Sequence, residues 1–163
     1  MARRVFFSFH YERDIWRASR IRNSWVTKPD RETAGFWDAA SWEEVKKKGE
    51  EEIKRWILRQ LEGTSVTAIL IGAETNSRKY VDYEIEQSAK RGNGFLGIYI
   101  HNMKDINGNT DVKGENPFDY WYRTVDSQKK YYSSIYSAYD WVNDSGYQNI
   151  GDWIEAAARK AGK

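Results

Sequence analysis

Cysteine is missing altogether from the 163 residues, which excludes a disulfide scaffold, a thiol nucleophile and a Cys-ligated metal. Histidine is almost as scarce: His10 and His101 are the only two, a poor basis for a zinc site, and no metal is expected. Two prolines occur, and no internal repeat or low-complexity segment is visible. No apolar run approaches the ~20 residues that a bilayer span needs. The opening residues 1–9 lack the apolar stretch and cleavage site of a signal peptide, so a cytoplasmic protein without a membrane partner is expected. A surplus of one charge is lacking too. Lys+Arg number 26 and Asp+Glu 24, leaving +2 with the histidines neutral. Dedicated nucleic-acid binders are usually strongly basic, so no nucleic-acid partner is expected.

What is abundant is aromatic. Trp, Tyr and Phe make up 15% of the chain, beside 31% charged and 40% hydrophobic residues, a composition that suits a soluble fold with a real core. At ~100–200 residues per domain, residues 1–163 are expected to form one domain. Residues 4–9 form a short apolar run of β-formers, as in a buried strand. Residues 12–23 carry Ile15, Trp16 and Ile21 at helical spacing, and Lys28-Pro29-Asp30 breaks that element. Ala34-Gly35-Phe36-Trp37 reads as a short second strand, and Ser41 as the N-cap of a long helix reaching Leu61. Residues 66–71 are nearly continuously apolar and β-branched, the pattern of a central strand covered on both faces. Ser77 then reads as an N-cap, with Gly92 as the left-handed stop of that helix. Residues 95–100 supply the next strand, a last short strand is expected near 132–136, and a terminal helix over 151–161. Between them, about 102–130 is too long for an ordinary connector and reads as an ordered functional excursion. Strands alternating with helices predict an α/β fold, flavodoxin-like, with a mostly parallel five-stranded sheet and helices on both faces. Any ligand belongs at the carboxyl ends of its strands.

Several chemistries housed by such sheets are refused by the residues. A phosphoacceptor receiver needs paired carboxylates after the first strand, where this chain has Ser8-Phe9-His10-Tyr11. The same stretch lacks the hydroxyl- and glycine-rich loop of a flavin mononucleotide site, and no P-loop occurs. Gly92-Asn93-Gly94-Phe95-Leu96-Gly97 matches G-x-G-x-x-G but runs from a helix end into a strand, the reverse of a phosphate cradle. Lys46-Lys47-Lys48 lies among glutamates and reads as a solvated face.

One carboxylate stands out. Val81, Ile85 and Ala89 face the sheet, and Tyr80, Glu84 and Ser88 form the adjacent row at i+4 intervals. Glu84 therefore borders the buried stripe near the carboxyl ends of the strands, where Ser8, Phe9 and His10 emerge. Position alone favours a surface pair with Lys90 or Arg91. Two motifs bear on the choice. Phe6-Phe7-Ser8-Phe9-His10 resembles the opening strand of Toll/interleukin-1 receptor (TIR) domains. Tyr80-Val81-Asp82-Tyr83-Glu84 resembles the aromatic-x-x-x-glutamate of their NAD-cleaving members. Residues 4–11, 25–28, 64–72, 83–85, 116–120 and 139–142, in that order, resemble the TIR-like signalling proteins of the bacterial Thoeris antiphage system. His10 stands where many TIR enzymes carry arginine, and the segment between Tyr120 and Tyr131 is shorter than in that family.

The resemblance implies an NAD nucleosidase of the ADP-ribosyl cyclase type, a hydrolase-class activity with NAD as substrate and no cofactor. It would cleave the nicotinamide–ribose bond and cyclise or transfer the ADP-ribosyl group, making a cyclic ADP-ribose isomer as second messenger in antiviral defence. Partners implied are NAD, further copies of the chain by self-association, a messenger-activated effector protein and a phage-derived trigger. Glu84 is the catalytic residue implied; Ser8, Phe9, His10, Asp38 and Tyr80 are candidates for binding the substrate. A single carboxylate is chemically sufficient. Ordinary glycosidases use a second one to protonate the leaving group, whereas nicotinamide departs from NAD as a neutral molecule. What remains is to stabilise an oxocarbenium-like cation, which one placed carboxylate does electrostatically. The alternative is a non-catalytic TIR-like adaptor or sensor that acts by protein–protein assembly.

Overall fold

The structure is a computed structural model describing residues 3–33 and 39–163, with residues 39–41 described by backbone only. Asp38, and the strand expected at 34–37, lie outside the described residues. The central sheet has five strands in the order β2-β1-β3-β4-β7, all pairs parallel. These are β1 (Arg3–Ser8), β2 (Arg31–Thr33), β3 (Val66–Ile71), β4 (Gly94–Tyr99) and β7 (Ala138–Asp140). Such an order is the flavodoxin-like one expected. Every residue of β3 is buried, because parallel strands carry helices over both faces. The helices are α1 (Ile15–Val26), α2 (Ala39–Lys46), α3 (Glu50–Leu61), α4 (Lys79–Lys90), the short α5 (Tyr132–Ile135) and α6 (Gly146–Lys160). α1 packs against α6, and α3 against α4.

The departures have local causes. The long helix expected from Ser41 to Leu61 is two helices, split where Gly49 takes φ +93°. Glycine reaches that region freely and is a poor helix former, and α2 already begins at Ala39, so Ser41 is no cap. Ser77 is not an N-cap either, since it adopts φ +66° and α4 starts at Lys79. Instead the Thr75 hydroxyl closes the turn, accepting from Gly72 N–H at 2.8 Å and donating to the Leu70 carbonyl at 3.2 Å. The strand expected near 132–136 is α5, whose buried Tyr132 and Ile135 have helical i, i+3 spacing. The strand follows it, at Ala138. The terminal helix begins five residues earlier than expected, at Gly146.

Other expectations hold. Gly92 has φ +75° at the end of α4, and the following glycines serve packing, not phosphate. A Cβ on Gly94 would lie 2.3 Å from the Ala157 carbonyl oxygen of α6. After β4 comes the long excursion. It holds a single 3-10 turn at Pro117–Asp119 and an antiparallel hairpin of β5 (Tyr122–Val125) and β6 (Gln128–Tyr131). Every hairpin strand residue is exposed.

Candidate active site

β1 stops at Ser8, and the chain turns through residues 9–14 into α1. β3 stops at Ile71, and α4 returns across the same sheet edge with Val81, Glu84, Ile85 and Ser88 buried. This places the sixth residue of α4 against the end of β1. Ser8 Oγ donates to Glu84 Oε1 at 3.2 Å, and Tyr11 Oη donates to Oε2 at 2.7 Å. Glu84 is 0% exposed. It is therefore no border residue paired with Lys90, which salt-bridges Glu86 instead.

Among the described residues no cation touches this carboxyl. Burial pushes its pKa up to about 8, and the two hydroxyls, Tyr11 first, oppose the rise. The hydroxyls favour the charged form because they donate to it. Burial also carries the Tyr11 phenol well above its ordinary range, with the neighbouring Glu84 adding to the effect. Tyr11 thus stays a donor while Glu84 changes charge.

Aromatic rings close round the pair. Tyr11 meets Phe9 edge-on at 5.2 Å and Trp42 at 4.9 Å, and Trp42 meets Tyr80 at 6.0 Å. These are favourable separations for offset and edge-to-face pairs. Trp42 is fixed from outside: its indole N–H donates to Glu12 Oε1 at 3.0 Å, which also accepts from Lys46 at 2.9 Å. So Ser8 and Glu84 are in contact, Phe9 is one ring removed, and Tyr80 is half-buried at the rim. His10 faces elsewhere. Its Nδ1 accepts the Arg13 backbone N–H at 3.1 Å, and burial, with the Arg78 charge, lowers its pKa. An imidazole that accepts at Nδ1 and resists protonation is a neutral polar group at the rim, not a phosphate clamp.

Tyr11 and Trp42 are absent from the candidates read off the sequence. Strand alternation ends at Ser8, so period two says nothing about where Tyr11 points. Trp42 sits in a helix that the sequence pattern places differently.

Beside this site a polar cluster ties the excursion to α1. Arg17, 3% exposed, donates to Asp14 at 3.1 Å, to the Met103 carbonyl at 2.8 Å and to the Asn109 carbonyl at 3.0 Å. Arg13 forms a two-pronged pair with Asp111, both contacts at 3.0 Å. Burial raises the Asp14 pKa to about 6 against the pull of Arg17. Among the described residues no group of three His, Cys, Asp or Glu side chains could hold a metal, and no helix is long and apolar enough to cross a membrane.

The family described as Thoeris protein ThsB, TIR-like domain, matches residues 6–105. A protein of Bacillus cereus (strain MSX-D12), named "Putative cyclic ADP-D-ribose synthase ThsB1", is 39% identical over 191 aligned residues, spanning 94% of this chain and all of its own length. The chain belongs to the ThsB TIR-like family. The matched residues 6–105 contain Ser8, Tyr11, Trp42, Tyr80 and Glu84, so the whole hydrogen-bonded core of the site falls within the family's domain. The aligned length exceeds the 163 residues here, so the ThsB relative carries segments that this chain lacks.

Proposed function

We propose that this protein is an NAD-consuming TIR enzyme that cleaves the nicotinamide–ribose bond and closes the ADP-ribosyl group into a cyclic ADP-ribose isomer. The observation that carries the reading is Glu84, a fully buried carboxyl held by two hydroxyls at the carboxyl end of a parallel sheet and walled by aromatic rings. The printed name of the Bacillus cereus relative supports the cyclic product.

The chemistry follows from electrostatics. NAD carries a positive pyridinium, and a cation beside a carboxyl favours its charged form. Substrate binding therefore draws Glu84 from its raised pKa toward the carboxylate. As the glycosidic bond breaks, the positive charge moves from the nicotinamide ring to the ribose, and the ring leaves neutral. The carboxylate then faces an oxocarbenium-like cation in a site with few competing dipoles, where one preorganised charge has most effect. Phe9 and Tyr80 offer ring faces to nicotinamide or adenine, and Ser8 and the neutral His10 offer polar contacts to ribose; Asp38 is assigned to the same role from its place in the sequence alone. Excluding water favours attack by a hydroxyl or ring nitrogen of the same molecule over hydrolysis.

An adaptor without turnover would keep a buried ionisable carboxyl that costs the fold stability and has no role. The reading extends to a cytoplasmic protein, with self-association, a phage-derived trigger and an effector protein activated by the nucleotide product. The deciding experiment measures nicotinamide release from NAD at high protein concentration, wild type beside Glu84→Gln, with linear and cyclic products separated. Release lost in the variant, with a cyclic product from wild type, is the expected result; equal release from both would remove Glu84 from the mechanism.

A further inference from the structure

We propose that Tyr11 is a positioning residue of this site: its phenol, donated to Oε2, fixes the Glu84 carboxylate in place and stabilises its charged form. The proposal rests on the reading of Glu84 as the catalytic carboxylate and adds a residue to it.

The geometry leaves few other candidates. Glu84 has two polar contacts, and the Tyr11 one is shorter by half an ångström, 2.7 against 3.2 Å. Short O–H···O⁻ contacts are the stronger ones. Burial and the Tyr11 and Ser8 hydroxyls are what shift the Glu84 carboxyl, with no charged group among the causes; the Arg78 cation at the start of α4 acts on His10 and Glu12 instead. From β1 and the turn after it come Ser8 and Tyr11. His10 turns to the Arg13 N–H, and Asp14 to Arg17. On α4 itself, Lys79 pairs with Glu50 of α3 and Lys90 with Glu86. On α3, Lys54 lies over the Tyr83 ring, and on α2, Lys46 is held by Glu12 and Glu43. A buried carboxylate without a cation depends on hydrogen-bond donors, and here the phenol is the principal one.

Tyr11 is itself held as a positioning group must be. It is 5% exposed, wedged between Phe9 and Trp42, and Trp42 is anchored in turn to Glu12. A rigid phenol pays little rotamer entropy to keep its hydroxyl on one oxygen, unlike a lysine or arginine in the same place. Burial keeps the phenol protonated at pH values where the carboxyl has ionised, so the contact survives the change of charge it serves.

The test is Tyr11→Phe, which retains the ring and both aromatic contacts and deletes the hydroxyl. Two readouts are taken. One is the Glu84 carboxyl titration by infrared or carbon-13 spectroscopy, identified by its absence in Glu84→Gln. The other is the pH profile of nicotinamide release. The carboxyl midpoint is expected to rise by about one pH unit or more, which lowers the charged fraction about tenfold at neutral pH. Release at pH 7 should fall about tenfold in kcat/KM, which reports the free enzyme's carboxyl, and should recover toward wild type at pH 9 as Glu84 ionises. A purely structural role would lower activity at every pH without moving the midpoint. Site-specific 3-fluorotyrosine at position 11, a stronger donor of nearly the same shape, should move the midpoint down and keeps the proposal testable if the phenylalanine variant folds poorly. A midpoint that stays put while nicotinamide is released would overturn the Tyr11 role alone. A midpoint that moves in a protein that releases no nicotinamide would sustain the Tyr11 role and count against the proposed reaction.

Discussion

Replacing Glu84 by Gln should make the protein more stable as it makes it inactive. In the unfolded chain the carboxyl titrates near 4.5, whereas burial raises it to about 8 in the fold. Between those values the folded state retains a proton that the unfolded state has released, so the unfolded state gains on the fold as pH rises. The stability associated with the neutral group is fully present below pH 4.5 and is lost progressively up to about pH 8. At about 1.4 kcal/mol per pH unit, the loss at pH 7 is about 3 kcal/mol, a large part of the 5–15 kcal/mol that usually holds a domain together. Gln matches the protonated carboxyl, one acceptor oxygen beside one donor group, without the ionisation, and so removes this slope. Thermal unfolding of both proteins from pH 4 to pH 8.5, by circular dichroism, reads it directly. Referenced to pH 4, the Glu84→Gln Tm advantage at pH 7 should reach about 6–12 °C, at ~2–4 °C per kcal/mol for a chain of this size. Groups common to both proteins cancel in the difference. A Tm difference that is flat with pH would refute the account of Glu84 as a desolvated carboxyl, whatever its catalytic role. Nicotinamide release should meanwhile fall by ~10²–10³, the usual cost of one preorganised electrostatic group.

Three other outcomes follow from the packing. Arg17→Ala strands the buried Asp14 carboxyl and frees the Met103 and Asn109 carbonyls; it should cost about 3–5 kcal/mol by urea denaturation, with amide exchange rising first in residues 102–111. Gly94→Ala sets a methyl 2.3 Å from the Ala157 carbonyl oxygen, where neither backbone can yield, so a loss of about 1–3 kcal/mol is expected; an unchanged Tm would contradict the close approach of β4 and α6. Asp126 and Ser127 both adopt positive φ at the hairpin tip, the conformation Asn-Gly prefers, so the double change D126N/S127G should stabilise the hairpin by roughly 0.5 kcal/mol, seen as slower exchange at Tyr122 and Tyr131.

How far the sequence could be read differs from one element to the next. The β3 run, buried on every residue, was legible because a strand with helices on both faces has no polar side to show. Strand–helix alternation then led to the parallel sheet and its order. Gly92 was legible as a helix stop because left-handed backbone is its ordinary use. Ser77 misled, since serine suits both an N-cap and a tight turn, and the choice fell to Thr75 bonding across to β3. Tyr132 and Ile135 misled because an aromatic, β-branched composition favours strands in general, while their i, i+3 burial belongs to one helical turn.

The site shows the same division. Residue type and spacing sufficed to bring Glu84 to the sheet edge beside Ser8, since helical period and strand order are local properties that add up predictably. What the sequence could not determine is the depth of Glu84 and the identity of its main partner. Both depend on where a loop residue, Tyr11, and a tryptophan from a separate helix, Trp42, come to rest against it. Sequence fixes which groups a chain carries and which face each presents along a regular element. Dielectric surroundings, and with them the charge on Glu84, arise from every element packed around the carboxyl, and so exist only once the tertiary structure has formed.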